Sequence, residues 1–152
     1  TFEGFLNFRG GEPCHGYTLV RRNGIVEAIK VGLASKDDIL PAYPTESRIA
    51  RATHRYIGGL IKCGAIAPFL VFITLEGAGG RRVVYDSYHD TADAKIALED
   101  LHLPTTSIEN VDSIDSDGLA LRPAFDAMWN AGGFVGSMSY EGGQWAPKSS
   151  ER

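Results

Sequence analysis

The chain offers few side chains whose type and spacing suit chemistry, and each has a plain alternative. Cys14 and His15 set a thiol beside an imidazole, but neighbours on an extended chain point to opposite sides, and a nucleophile–base pair is defined by spatial geometry. His89 lies close to Asp86 and Asp90, a trio whose donors suit a metal. With no His-x-x-x-His or Cys-x-x-Cys spacing anywhere, it reads as part of a polar loop. His54 is expected on a helix away from its apolar stripe, and His102, between Leu101 and Leu103, has no partner nearby in sequence. Gly77-Ala78-Gly79-Gly80 invites a phosphate-loop reading. Such loops lead into a helix N-terminus, often through Lys-Ser/Thr, whereas this one leads into Arg81-Arg82 and a strand, so a chain reversal accounts for it better. Glu27 alternates with Ile25 and Ile29. It is expected to be a partly buried carboxylate that either pairs diagonally with Arg22 or anchors a ligand or partner. No catalytic residue, metal ligand or cofactor is assigned from these residues.

One set of side chains has ordered spacing. Arg48, Arg51, Arg55 and Lys62 recur at helical intervals, and Arg81-Arg82 follow the glycine reversal. If the helix packs across that reversal, the two basic groups meet and form a surface for nucleic acid or for a partner. The alternative is a solvated helix face balanced by the acidic second half of the chain. Between positions 86 and 126, Asp86, Asp90, Asp93, Glu99, Asp100, Glu109, Asp112, Asp115, Asp117 and Asp126 face only Lys95 and Arg122. That half, and a formal net charge of -4, argue against a generally basic nucleic-acid-binding domain.

The elements that must position these residues are organised around residues 68–87. Phe69, Val71, Ile73 and Leu75 fall on one side of a strand and Leu70 and Phe72 on the other, the pattern of a strand buried on both faces in the middle of a sheet. Gly77 to Gly80 permit a reversal, with Val83, Val84 and Tyr85 as the returning strand. Asn23-Gly24 predicts a two-residue type I′ hairpin between 17–22 and 25–33, with Arg22 opposite Ile25, Val20 opposite Glu27, and Tyr17, Leu19, Val26 and Ala28 on the core side. A first strand is expected over 2–8. Thr45 is the expected N-cap of a helix over 45–63 with Glu46 in its first turn and Gly64 closing it. Ile49, Ala52, Tyr56, Leu60 and Cys63 form its apolar stripe, and Gly58-Gly59 inside it imply close packing or local mobility. A short helix over 90–100, an edge strand over 106–111 and a last helix over 119–131 that buries Leu121, Phe125, Met128 and Trp129 complete the set. The expected fold is therefore α+β: an antiparallel-dominated sheet of about five strands with one long and one or two shorter helices packed on it.

At 152 residues and 43% apolar the chain suits a single domain over 1–147, with a polar tail over 148–152. Cys14 and Cys63 are too few for a disulfide framework or a zinc site. No apolar run reaches the length of a membrane span and no signal region opens the chain, so a cytoplasmic location without membrane contact is expected. The sequence starts on Thr-Phe-Glu-Gly-Phe rather than Met, as a fragment cut from a longer protein or a processed product would.

The segment Leu121-Arg122-Pro123-Ala124-Phe125-Asp126-Ala127-Met128-Trp129-Asn130-Ala131-Gly132-Gly133, followed by Ser137-Met138-Ser139-Tyr140-Glu141-Gly142-Gly143-Gln144-Trp145, resembles the ending of bacterial proteins built on an AlbA-like, schlafen-type DNA-binding domain. Arg22-Asn23-Gly24-Ile25-Val26-Glu27-Ala28 and the order helix, apolar strand, glycine reversal add to the likeness. Those proteins are described as transcriptional regulators, ATP-binding proteins or DNA-helicase-related proteins. The resemblance implies that this chain is the module following their AlbA-like part, and it carries over no catalytic residue. The expectation is a non-enzymatic accessory domain that binds a partner protein, its own N-terminal domain or a small ligand. The alternatives are a hydrolase or nuclease-like enzyme using Glu27, His89 and nearby Asp residues, or direct nucleic-acid binding through the basic stripe.

Overall fold

Helix α1, Ala42–Lys62, starts at a pair of prolines, Pro41 and Pro44. Pro41 occupies the N-cap with extended backbone and no side-chain cap bond, and Pro44 falls in the first turn, where its missing N–H costs no hydrogen bond. The helix thus begins three residues earlier than its sequence implies. Thr45 is not its cap, and Thr45, Glu46 and Ser47 are buried inside it. Ile49, Ala52, Tyr56 and Leu60 are only half-buried and Cys63 is exposed, so the helix is rotated to bury Glu46, which finds donors elsewhere in the fold, together with the Thr45 hydroxyl, which is buried without a hydrogen bond. Gly64 ends it with a φ of 89°, the left-handed conformation that favours glycine.

The computed structural model describes residues 4–8, 15–33, 38–85, 91–109 and 118–146. Within them the chain is α+β, with the long α1, the shorter α2 (Arg122–Ala131) and mostly antiparallel strands distributed over several small sheets. Strands β1 (Gly4–Phe8), β2 (Gly16–Arg21) and β3 (Val26–Lys30) form an antiparallel meander. The run at 69–75 is not one central strand. It divides into β5 (Phe69–Val71), which pairs with β10 (Thr106–Ile108), and β6 (Thr74–Leu75), which pairs with β9 (Leu101–His102). Phe72, between them, is 73% exposed and not a core residue. Strand β7 (Arg82–Val84) does not return along this run. It lies between β4 (Ile39–Pro41), to which it is parallel, and β8 (Thr91–Lys95), to which it is antiparallel. The expected helix over 90–100 is thus a strand at its start, followed by the buried Ile96. A last hairpin joins β11 (Tyr140–Glu141) to β12 (Gln144–Trp145).

The hairpin at Asn23-Gly24 closes one residue differently from the type I′ expectation. Arg21 N–H donates to the Ile25 carbonyl at 2.8 Å and Gly24 N–H to the Arg21 carbonyl at 3.1 Å. Gly24 has a φ of 84° while Asn23 has no positive φ, the form of a three-residue loop with glycine at its left-handed position. Val20 therefore pairs with Val26 and Leu19 with Glu27, and every side chain of β3 changes face relative to β2.

The main core gathers Leu40, Leu75, Val83, Ile96, Leu101, Met128 and Trp129 between the small sheets and α2, and a second cluster sets Ile57 of α1 against Phe69 and Ile108. The α2 face forms as its spacing implies, with Leu121, Phe125, Met128 and Trp129 all buried. Pro123 is accepted in the first turn of α2, after a 3-10 turn at Leu119–Leu121. No helix among the described residues is long and apolar enough to cross a membrane.

Candidate functional site

The most concentrated polar arrangement is built around Glu46, which is fully buried. From α2, Trp129 donates its indole N–H to Glu46 Oε1 at 2.7 Å. From the segment after α2, the Ser137 hydroxyl donates to the same oxygen at 2.6 Å, and the Ser139 hydroxyl donates to Oε2. Burial pushes the Glu46 carboxyl above its usual range, while the bonds from Ser137, Ser139 and Trp129 work in the opposite direction. The indole nitrogen of Trp145 is buried without a hydrogen bond of ordinary geometry, yet it is close enough to favour the charged carboxylate.

A second tier holds this segment in place. Asp126 Oδ1 accepts from Ser137 N–H at 2.8 Å, and its other oxygen lies 3.6 Å from Arg122 Nε. The Arg122 guanidinium sits 5.0 Å from the centre of the Tyr140 ring, and the Tyr140 hydroxyl donates to the Gly118 carbonyl at 2.7 Å. Burial, then the charges of Glu46 and Asp126, raise the Tyr140 phenol. Around Trp129, Phe134 packs edge-on at 4.8 Å and Tyr85 lies tilted at 6.2 Å. Both Glu46 oxygens are occupied by donors of the chain itself, so the carboxylate fastens residues 137–145 to the start of α1 and is not poised as a base. In sequence Glu46 resembled a first-turn dipole partner, and no local pattern marked it as a buried carboxylate.

The residues singled out from sequence separate into distinct places. Glu27 accepts from the Tyr17 hydroxyl and lies 3.4 Å from Arg21 Nη2, so its cationic partner is Arg21 and not Arg22. The Tyr17 bond, then the Arg21 bond, hold its carboxyl below the usual range. Arg48, Arg51, Arg55 and Lys62 are exposed along α1. Arg81 and Arg82 belong to another setting: Arg81 Nε donates to the Gly77 carbonyl at 2.8 Å, and Arg82 is half-buried in β7. The glycine loop is also engaged. Ala78 and Gly79 N–H groups donate to the Glu99 carbonyl, Gly80 N–H donates to the Ile96 carbonyl at 2.9 Å, and Gly77 N–H donates to Asp100 Oδ1 at 3.0 Å. A phosphate would have to displace all of these.

His102 has a partner after all, with Nδ1 3.0 Å from Thr74 Oγ1 across β9 and β6. Cys63 is an exposed free thiol. Cys14, Asp86, His89 and Asp90 lie outside the described residues, and among the described ones no group of His, Cys, Asp and Glu is placed to hold a metal ion.

The meander is the other unusual surface. None of its described residues is buried. Thr18 and Tyr56 hydroxyls meet at 3.0 Å, turning one face towards α1. The other face presents Leu6, Phe8, Leu19 and Ile29 around the Tyr17–Glu27–Arg21 group, with Phe8 65% exposed, while Phe5, 70% exposed, lies on the Thr18 face. Compared with protein-family models, curated proteins and solved structures, the chain matches none.

Proposed function

We propose that this chain is a non-enzymatic accessory domain of a cytoplasmic, nucleic-acid-directed protein of the AlbA-like, schlafen type, and that it works by docking a protein surface onto its meander. The observation that supports this reading is the face of β1–β3 that carries Glu27. Leu6, Phe8 and Ile29 are exposed there around an engaged carboxylate, whereas an isolated domain keeps its large apolar side chains apart or covered. Apolar anchors around a charged, hydrogen-bonded centre are the composition of a protein–protein contact. The Glu46 arrangement supports the non-enzymatic part, since its carboxylate is saturated by Trp129, Ser137 and Ser139.

The test is an NMR titration of the labelled chain with the AlbA-like domain that the resemblance places before it. Shifts confined to Leu6, Phe8, Tyr17, Leu19, Glu27 and Ile29 are expected. Shifts centred on α2 and residues 137–145, or none at saturating concentration, would remove the docking role of the meander.

A further inference from the structure

The outer face of α1 carries two features that the fold itself does not use. The first is cationic. Arg48, Arg51, Arg55 and Lys62 fall within about 60° of one another around the axis at about 100° per residue. All four are exposed, and none of their side chains makes a hydrogen bond or ion pair with a described residue. Glu46, the lone carboxylate of α1, is buried on another side of the helix.

The second feature is bare backbone. Gly58 and Gly59 lie between Arg55 and Lys62 on the same side of α1, within an arc of about 100° that holds all six residues. A Cβ on either glycine would meet nothing within 4 Å, and neither has a positive φ. Packing and backbone conformation within the described chain therefore do not ask for glycine, although glycine in a helix interior lowers its stability. What a pair of glycines does provide is a strip where another backbone can come close.

We propose that this face of α1 binds the sugar–phosphate backbone of a nucleic-acid duplex, with Arg48, Arg51, Arg55 and Lys62 on phosphates and the backbone seated against Gly58 and Gly59. Three of the four cations are arginine, whose planar fork matches phosphate oxygens in pairs. From Arg48 to Lys62 the row is about 21 Å long at 1.5 Å per residue. No aromatic side chain lies in the arc, so the face lacks the stacking platform that single-stranded binding uses. The acidic remainder of the chain repels a polyanion at long range, but ionic strength near 0.1 M screens charges beyond about 10 Å. The result is sequence-independent binding that depends steeply on salt. These α1 residues share none with the Glu27 face of the meander, so either reading can fail without the other.

The test titrates the chain into a labelled mixed-sequence DNA duplex at low and moderate salt, with single-stranded DNA and polyglutamate as competitors. With four phosphates engaged, affinity should fall about a hundredfold for a fourfold rise in salt, and each of Arg48→Gln, Arg51→Gln and Arg55→Gln should reduce the log–log slope by about 0.9. Gly58→Ala and Gly59→Ala should raise Tm while weakening binding, an outcome that loss of folding cannot mimic. Absence of binding at low salt, or retained binding in the triple arginine variant, overturns the proposal. So does competition by polyglutamate equal to that by duplex, which would make the face a dock for an acidic protein, and so does preference for the single strand. Alanine at both glycines with higher Tm and unchanged affinity overturns the seating of the backbone.

Discussion

Trp129 Nε1 and Glu46 Oε1 lie 2.7 Å apart across 83 residues of sequence, and this bond fastens the last helix to the first turns of α1. It is one of three donors converging on a carboxylate that has no access to water. Removing the acceptor strands all three.

Glu46→Ala is therefore expected to destabilise the protein by about 3 kcal/mol or more, since each buried donor left unsatisfied costs about 1–3 kcal/mol. Glu46→Gln, which keeps one acceptor oxygen and the shape, should cost less. Urea unfolding of the two variants beside the native chain measures the order; equal midpoints for all three would show that the cluster contributes nothing.

The same carboxyl makes stability depend on pH in a direction opposite to an ordinary ion-paired acid. Burial raises it above its usual 4.5, so the folded state holds the proton more tightly than the unfolded chain. Its contribution is fully present below the ordinary carboxyl range and is lost as pH rises through the raised value. Glu27, whose carboxyl is lowered, works the other way, so the comparison must be a difference. Subtracting the unfolding free energy of Glu46→Gln from that of the native chain at each pH should give a curve that falls as pH rises; a flat or rising curve would contradict the burial effect. Tyr140, Asp126 and Arg122 face this region in both chains, so the difference isolates the carboxyl at position 46 to first order.

Two aromatic residues that look equally apolar in sequence should behave differently. Trp129→Ala removes a fully buried ring and should cost about 3–5 kcal/mol. Phe72→Ala removes a ring that is 73% exposed and should stay within about 0.5 kcal/mol of the native chain. Guanidinium denaturation of both variants decides it.

Glycine-to-alanine changes should carry opposite signs at two sites. At Gly132 a Cβ would sit 2.4 Å from the Val83 side chain, and forcing it into the core should cost about 1–3 kcal/mol. At Gly58 the position is open, and alanine should stabilise the helix by up to about 1 kcal/mol. Thermal unfolding of the two variants reads both signs directly.

Taken by itself, the sequence determined the features that rest on short-range periodicity. The α+β class, a long helix ending at Gly64, a reversal at Asn23-Gly24 and the buried face of α2 all come from patterns within a dozen residues, where local sterics and amphipathic spacing dominate. Tertiary structure decided what needs a distant partner. The apolar run at 69–75 is divided because its two halves pair with β10 and β9, and an apolar pattern does not record which strand supplies the hydrogen bonds. The register of the β2–β3 hairpin turned on whether Asn23 adopts a positive φ, a choice of one residue that exchanged the faces of Glu27 and Val26. Glu46 was legible only as a polar residue early in a helix. Its burial became tolerable because Trp129, Ser137 and Ser139 are brought to it from 83 to 93 residues away, and a buried charge is stable only where the whole fold delivers its donors.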